Sequence, residues 1–290
     1  MKRALAAMIM MVLPAWSLSR GSEVQETSVT DDPLPPLLTR LDRVAHLYRD
    51  AALKFSCREK IIHARPGTPS LFHEFEYIYE FSDVSGLLDF RIDRNAPRRA
   101  DEAPRRAYLS DYDLPYFLTR GYSWIFLLDR AHQERHKYSL GAVTRVLGRP
   151  AIPVAFEPIP PFENDVNDWF GTLWVDAESL QPLRAEAMKR FEREQEAAFR
   201  NAVKSTASAW REDWVFARVQ TEFTQEQNGM RFPGKVTITG VRGRIAIRRG
   251  KRVAEEQTLF TVTQVYTNYH FFSVRTREAI QSIGRAGADR

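Results

Sequence analysis

FHEFEYIYEF, residues 72–81, alternates with a period of two. Phe75, Tyr77, Tyr79 and Phe81 fall on one side of an extended chain, and Glu74, Glu76 and Glu80 on the other. Successive side chains of a strand point to opposite faces, so this run is a half-buried strand of an antiparallel sheet. LLDFRID (87–93) repeats the pattern after a turn containing Gly86, with Leu88, Phe90 and Ile92 opposite Asp89, Arg91 and Asp93. Toward the N-terminus the period is that of a helix. Leu37, Leu41, Val44, Ala45, Tyr48, Ala52 and Phe55 recur at three- and four-residue spacing, and Pro35-Pro36 suits a first turn. The spacing predicts one amphipathic helix over 35–54.

Toward the C-terminus, residues 94–107 read as a loop, 113–121 as a short helix and 123–130 as a weaker element. Hairpins follow in series. YSLGAVTRVLGRPAIPVAFEPI (138–159) folds back at Gly148-Arg149, and FGTLWVDAESLQPLRAEA (170–187) turns at Asp176–Ser179. Asp and Ser suit turns because their side chains bond the local backbone. RFEREQEAAFRNAVKSTA (190–207) has helical composition, with Glu196 and Arg200 as an i,i+4 pair. Val215, Ala217, Val219 and Phe223 then alternate with Arg218, Gln220 and Glu222. Asn228-Gly229 marks a further hairpin, because both residues tolerate φ > 0. Phe232, Val236 and Ile238 line its return, and a basic turn at 249–251 leads into the last long strand.

No strand–helix–strand alternation appears, which argues against a parallel α/β enzyme fold. A long antiparallel sheet with one apolar face must curl and be covered. The expected fold is α+β: a strongly curved antiparallel sheet, an incomplete barrel, with the N-terminal helix and the helical insertions over its concave face.

MKRALAAMIMMVLPAWS (1–17) has the positive start, short apolar run and small residues of a secretory signal peptide. The expected mature start lies between residues 18 and 23. The expected organisation is signal peptide 1–17, leader 18–33, one half-barrel domain 34–278 and tail 279–290. Removal of 1–17 takes only Lys2 and Arg3 from 42 basic residues, against 37 acidic ones. That mild balance does not point to nucleic acid. With one cysteine, Cys57, the chain makes no internal disulfide, and a lipoprotein anchor at the cleavage site is excluded.

Residues of catalytic type are present but not in catalytic patterns. HQERH (132–136) offers His132 and His136 at i,i+4, yet Gln133 stands where a zincin needs Glu, and Arg130, Arg135 and Lys137 disfavour a cation. No metal and no cofactor are expected. There is no G-x-S-x-G and no Gly-rich phosphate loop. Cys57 reads as a small buried hydrophobe. Asp165 and Asp168 lie in a run of turn-forming residues. RGRIAIRRGKR (242–252) places Arg242, Arg244, Arg248, Arg249, Lys251 and Arg252 on one strand face and a hairpin tip. Such charge protects an exposed edge, and the same patch would meet anionic headgroups or an acidic partner.

The layout resembles the LolA-like periplasmic carriers and the wider outer-membrane lipoprotein-sorting-like proteins. The leader, the helix LLTRLDRVAHLYRDAALKF (37–55), the hairpin LWVDAESLQPLRAEA (173–187) and the strand RFPGKVTITG (231–240) carry the resemblance. It implies a half-barrel whose hydrophobic cavity, under a helical lid, receives acyl chains. It implies no individual binding residue. The insertion at 190–207 and the basic hairpin depart from a minimal carrier. The expected function is thus an exported, non-enzymatic protein that binds an acyl chain, lipid or lipoprotein. Phe75, Tyr77, Tyr79, Phe81, Trp169, Trp174, Val215, Val219 and Phe223 are the cavity candidates. The alternative is an envelope interaction or sensor domain whose concave face is filled by its own helices, and a hydrolase built on unrecognised carboxylates is third.

Overall fold

The computed structural model describes residues 32–51, 54–82, 86–93, 106–107, 121–162, 168–205, 213–227 and 229–271. The signal peptide, the leader up to residue 31, the helix expected at 113–120, Asp165, Asn228, the tail and the Phe81 side chain lie outside the described residues.

Helix α1 (Leu34–Ala51) buries Leu37, Leu41, Ala45 and Tyr48, a single stripe at helical spacing. Strands β1 (Lys54–Ala64), β2 (Leu71–Ser82), β3 (Gly86–Asp93) and β4 (Arg106–Ala107) follow. A 3-10 helix (Gly121–Leu128) and the short α2 (Arg130–Gln133) come next, then β5 (His136–Leu140), β6 (Thr144–Val146) and β7 (Arg149–Pro158). β8 (Trp169–Asp176) and β9 (Pro182–Lys189) form the central hairpin. Its turn is held by Asp176, whose carboxylate accepts from the backbone N–H of Glu178 at 3.0 Å and Ser179 at 2.9 Å. Helix α3 (Arg190–Lys204) leads to β10 (Trp214–Glu222), the small β11–β12 hairpin (Gln225–Gln227, Met230–Phe232), β13 (Lys235–Arg248) and β14 (Lys251–Phe271).

The main sheet has the order β4-β3-β2-β1-β14-β13-β10-β9-β8-β7-β5, with β6 also on β7, and every pairing is antiparallel. Its terminal strands β4 and β5 do not pair, so the barrel is incomplete. One inner core joins α1 and the 3-10 helix to β1, β2, β7, β8, β9, β10, β13 and β14. Helix α3 takes the other face. Phe199 lies 5.5 Å from the Trp214 ring and 6.3 Å from Phe216, residues that alternate with the inward Ala217 and Val219. A Cβ on Gly243 would stand 3.0 Å from the Phe199 ring, so a glycine lets that ring settle on the sheet. An ion-pair network fixes the helix: Arg218 reaches Glu196 at 2.7 Å and Glu256 at 2.9 Å.

Candidate functional site: the covered inner face

The inner face is floored by alternate residues of neighbouring strands. Phe55, Cys57, Glu59 and Ile61 of β1 lie beside Phe75, Tyr77 and Tyr79 of β2 and beside Val262, Gln264 and Tyr266 of β14. Of the expected cavity residues, Phe75, Tyr77, Tyr79, Trp169, Val219 and Phe223 are all buried in this core. Two are not. Trp174 points to the other face, because it stands an odd number of residues from the inward Trp169, Leu173 and Val175, and there it packs with Val146, Ala151 and Leu183 under the Arg184 guanidinium at 5.6 Å. Val215 stands at the start of β10, 47% exposed, outside the core. In LLDFRID the side chains of Leu88 and Phe90 lie outside the described residues, but at Arg91 the expectation fails: Arg91, paired with Tyr77, is buried, and Ile92 lies between two strands at intermediate exposure.

Arg91 is there because it has a partner. Its Nη2 donates to Glu59 Oε1 at 2.9 Å, its Nε donates to Oε2, and its guanidinium lies 4.5 Å over the Tyr77 ring. Gln264 Nε2 donates to the same carboxylate at 3.0 Å and to the Tyr266 hydroxyl at 2.9 Å. Burial pushes the Arg91 guanidinium down, but the Glu59 charge outweighs it and holds the group above its usual value. Cys57 adjoins this cluster. Burial, joined by the Glu59 charge, pushes its thiol well above the usual range and keeps it protonated. Sequence reading passed over Glu59 and set Arg91 on the polar side of its strand. The signal was present, because Glu59 sits on the Phe55–Cys57–Ile61 side of β1.

The cover is bonded to itself. Arg49 of α1 pairs with Asp129, Asp42 accepts from the Arg130 N–H at 2.8 Å, and Gln133 donates to Leu38 O at 2.9 Å and Leu128 O at 2.6 Å. Polar bonds tie it to the strands as well, among them one between His136 Nδ1 of β5 and His132 O of α2 at 3.0 Å. Tyr48 OH donates to Arg231 O at 2.8 Å, Trp124 Nε1 to Thr221 Oγ1 at 2.8 Å, and Tyr138 OH to Leu127 O at 2.5 Å. Apolar packing does the rest, with Trp124 edge-on to Trp169 at 5.1 Å and Tyr122 edge-on to Tyr79 at 4.3 Å.

Asp129 is the knot of this cover. It caps α2, accepting from His132 N at 2.9 Å and Nδ1 at 2.7 Å. Burial pushes its carboxyl up, but the His132 hydrogen bonds and the Arg49 cation prevail and hold it at about 2, against 3.8 for an ordinary aspartate. A lowered carboxylate stabilises the fold above the unfolded value and loses that contribution as pH falls through the folded one. The cover is therefore expected to loosen between pH about 4 and about 2. Asp129→Asn keeps a capping side chain but loses the charge that Arg49 and His132 meet, and should cost about 1–2 kcal/mol at neutral pH and remove that acid transition. Amide exchange in α1 followed against pH checks this, and an unchanged transition in the variant refutes it.

Other sequence candidates are separated by the fold. α2 ends at Gln133 and His136 begins β5, so the two histidines do not share a helical face, and their rings are 6.3 Å apart. Among the described residues no group of three His, Cys, Asp or Glu side chains is placed to hold a metal ion. Asp168 is buried with Arg190 at 3.7 Å. No described helix is long and apolar enough to cross a membrane. On the outer face, beside the first turns of α3, lies a groove of about 810 Å³ with Thr172, Thr237 and Thr239 among its lining, Phe170 and Met188 as apolar walls, and Lys137, Glu186, Arg193 and Arg218 as charged ones. The six cations of 242–252 all lie on the β13–β14 hairpin, away from both of these surfaces.

No protein-family model and no curated protein matches the chain. Solved structures do. A DUF1329 family protein from Desulfovibrio piger shares 13% identity over 82% of this chain and 92% of its own, with a TM-score of 0.42. A LolA superfamily protein from Nitrosomonas europaea shares 10% over 82% and 94%, with a TM-score of 0.38. A putative outer membrane lipoprotein-sorting protein domain from Vibrio parahaemolyticus shares 9% over 83% and 97%, with a TM-score of 0.42. The chain is similar to these proteins in layout, and no residue role is carried from them.

Proposed function

We propose that this chain is an exported binding protein, without catalytic activity, that takes a hydrophobic ligand (an acyl chain, lipid or lipoprotein) on the inner face of its incomplete barrel. The observation that carries this reading is the construction of the cover, tied to itself by Arg49–Asp129, Asp42–Arg130 and Gln133–Leu38 and laid on the strands through a broad apolar core with side-chain hydrogen bonds at Tyr48, Trp124, Tyr138 and His136. The described inner face is packed, so a ligand here replaces the cover and does not fill a standing void. An acyl chain recovers about 0.8 kcal/mol per buried methylene, which offsets the apolar contacts that α1 and the 3-10 helix give up.

Ligand affinity then depends on how readily the cover opens. Tyr48→Phe removes the hydroxyl that bonds Arg231 and Gln181. Loss of that pin, worth about 1 kcal/mol, is expected to tighten apparent binding of palmitate about fivefold. Emission from Trp124 and Trp169 is the readout, with organic-solvent extraction of the purified protein to find any resident lipid. Saturable palmitate binding that Tyr48→Phe leaves unchanged or weakens removes the cover from the mechanism. No saturable binding and no extracted lipid removes the whole reading. In that event the chain is an interaction or sensor domain with a self-filled inner face, a reading favoured by the complete burial of Leu41, Ala45, Ile125 and Leu128.

A further inference from the structure

The β13–β14 hairpin runs past its neighbours. β10 meets β13 no further out than Trp214↔Gly243, and β1 meets β14 no further than Ala64↔Thr261. Beyond those points the two strands pair only with each other, from Arg244↔Glu255 to Arg248↔Lys251. Ile245 and Ala254 at the root of this ribbon pack with the α3 cluster, and Arg252 donates to Ser205 O at the end of α3.

Two local rules are broken together at the tip. The turn is Arg249-Gly250, with φ of 51° and 73°. A two-residue turn of this kind favours Asn or Asp at its first position, and a long side chain in the left-handed region is strained. Beside it Ile247 is 76% exposed. Edge protection explains cations here but not a bare isoleucine. The charges are also unevenly met. Arg244 pairs with Asp213 at 2.7 Å and Arg248 with Glu255 at 2.5 Å, whereas Arg249 and Lys251 make no ion pair among the described residues. Uncompensated cations around an exposed aliphatic apex match an anionic bilayer surface, whose headgroups take the charge and whose acyl boundary takes the apolar side chain. An acidic protein surface would meet the cations and leave Ile247 without a function.

We propose that this tip is a membrane-contact point, with Ile247 entering the interface of an anionic bilayer and Arg249 and Lys251 meeting its headgroups. The inference stands apart from the ligand proposed above. Its test is co-sedimentation of the full chain with vesicles of phosphatidylcholine containing about one third phosphatidylglycerol, and with phosphatidylcholine alone. Binding is expected to the first only and to weaken in high salt, because exposed charges are screened. Arg249→Asn is expected to weaken it about fivefold, the worth of one cation at such a surface. That variant also relieves the turn, so its melting temperature holds or rises and lost binding is not lost folding. Ile247→Ser should weaken binding as well. Equal binding to both vesicle types, binding unaffected by either substitution, or capture of polyglutamate without vesicle binding overturns the proposal.

Discussion

Glu59→Ala is expected to cost about 3–5 kcal/mol of folding stability, the usual effect of stripping one partner from a buried ion pair. Glu59 is fully buried and Arg91 almost so, in a face otherwise made of Phe55, Ile61, Phe75 and Val262. The two residues stand on β1 and β3 and reach each other across Tyr77 of β2, whose ring lies under the guanidinium. Without the carboxylate, Arg91 keeps its charge in an apolar wall, and Gln264 loses one of its acceptors. The pair itself is no strong source of stability, because desolvating both charges consumes most of their attraction. Glu59→Leu combined with Arg91→Met should therefore recover most of what either single change loses. Urea unfolding of the two single variants and the double variant is the measurement. A double variant as unstable as the sum of the singles contradicts this account.

Phe55→Ala is expected to cost about 3–5 kcal/mol, the upper range for a large aromatic removed from a packed core. Its ring meets Tyr77 and Tyr79 on β2, Tyr269 and Phe271 on β14, Phe232 on β12 and Tyr122 of the 3-10 helix, at centroid distances of 5.3–6.3 Å. These contacts belong to the sheet and the cover at once, so the cavity left behind loosens both. Aromatic pairs in tilted and edge-on arrangements add to the area term. Val215→Ala, at an exposed position in the same sheet, should stay within about 0.5 kcal/mol. Unfolding midpoints and near-ultraviolet circular dichroism compare the two. A Phe55→Ala variant that loses no more than Val215→Ala would show that the rings are not a common support.

The parts of this fold that were legible in the sequence are those where one period dominates. β2 alternates cleanly, and α1 carries one apolar stripe, so both were placed within a few residues. The 3-10 helix GYSWIFLL is apolar on every side, and no period exists to read. Helix α3 was visible, but its pattern shows only that one side is apolar, and the face of the sheet it covers is fixed by Trp214 and Phe216 on β10. Trp174 was set beside Trp169, although the two are five residues apart and an odd spacing puts strand residues on opposite faces. Arg91 was set on the polar side of β3 because a charge is read as wet, and only the presence of Glu59 two strands away makes the opposite true. The inner face was thus predictable where it is aromatic and hidden where it is ionic.

β14 lies between β1 and β13, and it is the one strand through which β1–β4 and the rest of the sheet share a ladder. Ala64 meets Thr261, and Phe55 meets Phe271, partners about two hundred positions apart in the chain. During synthesis or passage through a membrane, the strands before residue 251 can form only two separate stacks with open edges. Contacts this distant along the sequence form slowly, and open strand edges attract other chains while they wait. The last strand made is the one that joins the halves, so the nascent chain stays in two pieces, exposed to chaperones and proteases, until its C-terminal end arrives.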